Sequence, residues 1–165
     1  GVFALRTRPA LAEQIRNLHK WVHAGGNLVS LYHRPWDNWD PTNSALAPLT
    51  IGKPSLRWRV TDQNAEVQTL LPEHPLLVGP NKITAQDWNG WDKERGLYFA
   101  STWDRQYEAL ISMADVGEPP LKGSLLSGRF GKGRHTHTSL IFHHQLEQLV
   151  PGAYRLMANL LNRCD

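Results

Sequence analysis

The first 32 residues constrain the fold more than any other part of the chain. Residues 2–5 are a short apolar run with basic neighbours, the pattern of a buried strand. Thr7 can cap a helix whose first turn holds Pro9, where a missing N–H costs nothing. Leu11, Ile15, Leu18 and Val22 then recur at helical spacing on one face, and Gly25-Gly26 stops the run. Residues 27–32 read as a second strand. A strand, a crossover helix and a strand in so short a span form a βαβ unit, which predicts parallel pairing and a right-handed connection.

The remainder is less regular. Residues 33–54 carry Pro35, Pro41, Pro48 and Pro54 with Trp36 and Trp39, and read as a long ordered loop at a strand's carboxyl end, a common place for function. Strands are expected at 56–60, 97–101, 109–113, 124–130 and, most strongly, 134–142, after the turn Gly131-Lys132-Gly133. Residues 70–81 read as a connector and 84–88 as one helical turn. Ala153, Leu156, Met157, Leu160 and Leu161 mark a C-terminal helix. With no repeat, low-complexity tract or linker, residues 1–165 are expected to form a single α/β domain. The start, Gly1-Val2-Phe3, has no methionine and reads as a strand cut from a longer chain, so a fragment of a larger protein is expected.

Composition removes several classes of function. At 165 residues, 41% hydrophobic and 20% charged, the chain can bury a real core and is not expected to be disordered. No window approaches the ~18 consecutive apolar residues of a membrane-spanning helix. The net charge is 18 − 15 = +3, and the basic residues come in scattered pairs, so no nucleic-acid partner is expected. The single cysteine, Cys164, allows neither an intrachain disulfide nor a cysteine-rich zinc site.

Two constellations could carry chemistry. In Arg134-His135-Thr136-His137-Thr138, strand alternation puts His135 and His137 on one face, where they could chelate a divalent metal such as zinc with His143 or His144. The same histidines could instead line a metal-free polar pocket, or simply hydrogen-bond loops. The second is Asp87-Trp88-Asn89-Gly90-Trp91-Asp92-Lys93-Glu94-Arg95-Gly96, echoed by Trp36-Asp37-Asn38-Trp39-Asp40. Indole faces among carboxylates and amides suit carbohydrate, although covering a sheet edge is the commoner task for tryptophan. Asp37, Asp87, Glu94 and Asp104 are candidate acid–base groups. No Gly-x-Ser-x-Gly or Gly-x-Cys-x-Gly elbow, dinucleotide fingerprint or Walker loop is present.

Several stretches resemble a known bacterial domain: Arg6-Thr-Arg-Pro, Val22-His-Ala-Gly-Gly-Asn-Leu-Val, Tyr32-His-Arg-Pro-Trp-Asp-Asn-Trp-Asp, Pro54-Ser-Leu-Arg-Trp-Arg-Val-Thr-Asp, His74-Pro-Leu-Leu, Trp88-Asn-Gly-Trp, Glu94-Arg-Gly-Leu-Tyr-Phe-Ala and Gly133-Arg-His-Thr-His-Thr-Ser-Leu. The resemblance is to the C-terminal class I glutamine-amidotransferase-like (ThuA-like) domain attached to some PIG-L/LmbE family deacetylases, and it runs over nearly the whole chain. It implies a flavodoxin-like, mostly parallel sheet flanked by helices, incomplete at its N-terminus, with ligands at the carboxyl ends of the strands. It also implies a parent protein with a separate zinc-dependent N-acetyl-sugar deacetylase domain. That domain's Ala-His-Pro-Asp-Asp-Glu signature is absent, since His74-Pro75 is followed by Leu76-Leu77, and the amidotransferase cysteine has no counterpart in Cys164.

The expectation is therefore a domain that is non-catalytic alone and supports the attached deacetylase or binds a carbohydrate or glycoconjugate. Trp36, Trp88 and Trp91 would stack on sugar, and Asp37, Glu94, His135 and His137 would read its hydroxyls. The alternatives are a metal-assisted hydrolase, with His135, His137 and His143 or His144 as ligands and Glu94 or Asp87 as base, and a protein-interaction platform. Neither substrate nor compartment, cytoplasmic or exported, is fixed by the sequence.

Overall fold

A computed structural model describes residues 9–31 and 45–162. Two short helices, α1 (Pro9–Glu13) and α2 (Ile15–His23), lead into β1 (Asn27–Leu31). As the apolar spacing predicts, Val22 is buried on the inner face of α2 while Ile15 and Leu18 are half-buried. Gly25, at φ 122°, makes the turn out of the helix that a residue with a Cβ rarely adopts. The strand expected at 2–5 lies outside the described residues.

β1 pairs in parallel with β10 (Gly133–Thr138), with Ser30 beside His137 and Leu28 beside His135, whereas the βαβ pairing expected with residues 2–5 lies outside the described residues. Beyond β10 come β9 (Leu125–Phe130) and β7 (Tyr107–Ala109), giving the order β1-β10-β9-β7. Both of these further pairings are antiparallel. Three antiparallel ribbons accompany this sheet: β2 (Leu49–Ile51) with β6 (Ala100–Trp103), β3 (Arg59–Val60) with β5 (Gly96–Leu97), and β4 (Val67–Thr69) with β8 (Ile111–Met113).

The fold is thus mixed α/β, as expected in class. A mostly parallel sheet is not what the described strands display, since β1–β10 is their one parallel pair. The reason is local. Gly131, at φ 61°, and Lys132 close a two-residue turn, and such a turn can join only antiparallel neighbours.

Other expected boundaries shift. The strand expected at 56–60 begins as a 3-10 turn at Ser55–Arg57, and those expected at 97–101 and 109–113 are interrupted. The strand expected at 134–142 stops at Thr138, and Phe142 opens a further helix, α4 (Phe142–Glu147). Between β4 and β5 lie α3 (Pro75–Val78), inside the expected connector, and the 3-10 turn Ala85–Trp88, where one helical turn is expected. The C-terminal helix is α5 (Pro151–Leu161).

Strand alternation divides the core. One side of the sheet carries Val29, Leu31 and Leu125 against Leu156, Leu160 and Ala153 of α5, together with Trp88, Trp91, Phe99 and Phe142. The other carries Leu28, Leu126, Phe130 and Tyr107 against Val22, Leu49 and Ile51. Each fully buried Leu or Phe contributes roughly 1.5–3 kcal/mol. Close approach fixes Gly152, where a Cβ would lie 1.8 Å from the Asp87 carbonyl oxygen.

Candidate functional site: a polar chain buried in the sheet

The strongest sequence constellation lies inside the second core. His135 and His137 share one face of β10, as alternation requires, and both are fully buried. Between them stands Ser30 of β1, its Oγ 2.8 Å from His135 Nε2 and 3.0 Å from His137 Nδ1. Tyr107 reaches across Gly128 of β9, its register partner, and places its hydroxyl 2.6 Å from His135 Nδ1. A side chain at 128 would crowd that ring, because its Cβ would stand 3.1 Å from Tyr107 Cδ1. At the other end, Ser139 Oγ is 3.4 Å from His137 Nε2 and donates to the Tyr98 carbonyl at 3.0 Å.

These contacts fix the direction of the chain, because a carbonyl can only accept. Ser139 gives its proton to Tyr98 O, so it accepts from His137 Nε2–H. His137 Nδ1 therefore accepts from the Ser30 hydroxyl, and Ser30 accepts from His135 Nε2–H. His135 Nδ1 is then the acceptor for the Tyr107 hydroxyl. Both imidazoles are assigned as the Nε2–H tautomer by this logic.

The electrostatics agree. Burial, with a smaller push from His137 and His19, lowers the pKa of His135 to about 3. Burial lowers His137 to about 4. Burial also raises the Tyr107 phenol well above its usual value. At neutral pH the chain is uncharged, and all four ring nitrogens are engaged.

The expected metal set is not gathered. His143 and His144 sit on α4 with their rings 4.2 Å apart, and His144 Nδ1 is 3.3 Å from Lys93 Nζ. Among the described residues no three His, Cys, Asp or Glu side chains are grouped so as to hold a metal ion. Burial and then His144 lower the pKa of His143, and burial raises that of Glu94 against the pull of His144, Arg59 and Lys93.

The expected tryptophan platform is also core. Trp88 and Trp91 are 5% and 2% exposed, 5.3 Å apart, and Trp91 packs on Phe142. Indoles this covered have no free face for a sugar ring. Asp87 holds Thr84 in a capping box and accepts from Arg155 Nε at 2.7 Å, and Asp104 accepts from Gln106 N in a turn. Trp36, Asp37, Asn38, Trp39, Asp40 and Cys164 lie outside the described residues.

Sequence reasoning missed Ser30, Tyr107, Ser139 and Arg95. Arg95 is 3% exposed, and its guanidinium donates to Trp88 O at 2.6 Å and to Ala65 O at 3.1 and 2.8 Å, with its carbon 5.7 Å from the Trp91 ring centre. Burial lowers its pKa to about 10, with Asp62 opposing, so it stays charged at neutral pH. The sequence signal for Arg95 was its place beside the tryptophan pair; Ser30 and Tyr107 carry none outside their strand register.

Sheet and buried chain together define a mixed α/β domain with a polar, uncharged core motif. No protein-family model matches the chain, and no curated protein matches it. Among solved structures, it is similar to the cytoplasmic protein STM3548 from Salmonella typhimurium, with a TM-score of 0.54 and 16% identity over 89% of this chain and 58% of that one. It is similar to the cytoplasmic protein STM1381 from Salmonella typhimurium LT2 to the same extent, at 15% identity. The exo-beta-1,4-mannosidase Op5Man5 from Opitutaceae bacterium strain TAV5 aligns with a TM-score of 0.48 and 20% identity over 92% of this chain and 24% of that enzyme. At such identities the likeness to the Salmonella proteins is one of fold, and the chain spans 58% of their length.

Proposed function

We propose that the chain is a non-catalytic accessory domain of amidotransferase-like, flavodoxin-related architecture, which supports an attached PIG-L-type N-acetyl-sugar deacetylase. The observation that carries this reading is the closed hydrogen-bond chain. The two histidines best placed for catalysis are neutral, fully buried and engaged at every ring nitrogen, so their chemistry is spent on holding β1, β10 and β7 in register. The sequence resemblance supplies the deacetylase partner and the flavodoxin-like layering. Carbohydrate contact, in this reading, falls to Trp36 and Asp37, because Trp88 and Trp91 are consumed by the core.

Saturation-transfer NMR with N-acetylglucosamine and its oligomers, run beside a hydrolysis assay on the same sugars, tests the proposal. The chain should release no acetate, bind the sugar weakly, and lose binding on Trp36→Ala. Acetate release abolished by His137→Gln would overturn the non-catalytic reading. Failure to bind any of these sugars would remove the carbohydrate part.

A further inference from the structure

On the opposite side of the sheet from the buried histidines, Arg129 of β9 and Arg134 of β10 are direct cross-strand partners. Like charges in that position repel, so an uncompensated pair is unfavourable. Compensation from the described residues is small. Arg134 gives one Nη2 bond to Asn162 O at 2.7 Å, while its Nε is buried without a hydrogen-bond partner among the described residues. The Arg129 side chain is exposed and has no hydrogen bond or ion pair to a described residue.

These arginines line a cavity of about 140 Å³ with His74, Glu108 and Ser127. The orientation of His74 is set by the helix it caps, α3, since Nδ1 accepts from Leu76 N at 3.1 Å. Neutral His74 therefore carries its proton on Nε2, which lies 3.9 Å from Glu108 Oε2. The cavity walls thus hold two guanidinium groups and an imidazole donor against one carboxylate. Drug-sized ligand sites start at roughly 300 Å³, so a small ion or the end of a larger molecule is what fits.

We propose that the Arg129–Arg134 rung, with His74 Nε2–H, binds a phosphate group, either free phosphate or the head of a phosphate monoester. A tetrahedral oxyanion accepts from several donors at once, and guanidinium forks match it closely. It would offset the Arg–Arg repulsion across the rung. Glu108 opposes the anion and keeps affinity modest.

Calorimetric titration of the full chain with inorganic phosphate and with methyl phosphate, while following the His74 ring protons by NMR, tests this site. Phosphate should bind and shift the His74 resonances. Arg129→Gln should weaken binding about tenfold, and Glu108→Gln should tighten it. Lys122→Gln, an equal charge change before the other end of β9, should leave it within about twofold. Tighter binding of methyl phosphate would assign the site to monoesters, and binding of inorganic phosphate alone would assign it to the free ion. No heat and no His74 shift at roughly 20 mM of either probe, or equal weakening by Arg129→Gln and Lys122→Gln, would overturn the proposal.

Discussion

Ser30 can both accept and donate, and the buried chain uses both capacities. Its oxygen takes the His135 proton donor and its hydrogen satisfies His137. Ser30→Ala would strand both ring nitrogens in the core, at about 1–3 kcal/mol for each group left unpaired. Chemical denaturation should register that loss, and a change under about 0.5 kcal/mol, the scale of a surface substitution, would contradict the bonding scheme. The two histidines also set a pH dependence. Their folded pKa values of about 3 and about 4 lie below the unfolded value near 6.5. Between these limits the unfolded chain binds more protons, so stability rises with pH and is lost as the solution is acidified from about 6.5 toward 3–4. Thermal melts across pH 4–7.5 should show this slope, and a variant with His135→Gln and His137→Gln should be flatter over the same range.

Among the elements, those legible in sequence were the ones whose signal is local. Helix α2 and its glycine stop follow from spacing within a dozen residues, and the β9–β10 hairpin follows from alternation around Gly131-Lys132. The common face of His135 and His137 was legible for the same reason. What stands on that face was not. Ser30 is 105 residues away from His135 in sequence, and Tyr107 meets His135 only because β7 lies across β9 with Gly128 between them. The Trp88–Trp91 motif misled for a related reason, since indoles among polar residues look alike whether they face solvent or, like these two, are buried beside an arginine. Packing between elements also makes an expectation about α5. Alanine normally improves a helix over glycine by about 1 kcal/mol. At Gly152 the sign should reverse, because the new Cβ would meet the Asp87 backbone at 1.8 Å and force α5 from the 85–88 turn. Urea denaturation of Gly152→Ala should show a loss of about 1–3 kcal/mol, and any gain would contradict this close packing.

At the scale of the whole molecule, the sheet separates two chemistries. One side links its buried histidines to serine and tyrosine hydroxyls, and the other sets Arg129 and Arg134 side by side next to a small cavity, with little compensation from the described residues. The α/β class was readable from the mixture of helix-spaced and strand-like runs, whereas apart from the β9–β10 hairpin the antiparallel pairings join strands that do not follow one another in the chain. No helix among the described residues is long and apolar enough to cross a membrane, in line with the sequence. The non-catalytic reading stands or falls with the state of the buried histidines. Long-range proton–nitrogen NMR on the full chain, titrated from neutral to acidic pH, observes that state directly. The account predicts that His135 and His137 are both neutral Nε2–H tautomers at pH 7 and remain so to about pH 5. Titration of either ring near 6.5, or a proton on Nδ1 of either one, would show that the chain is not closed as described and would return these residues to the list of candidate catalytic groups.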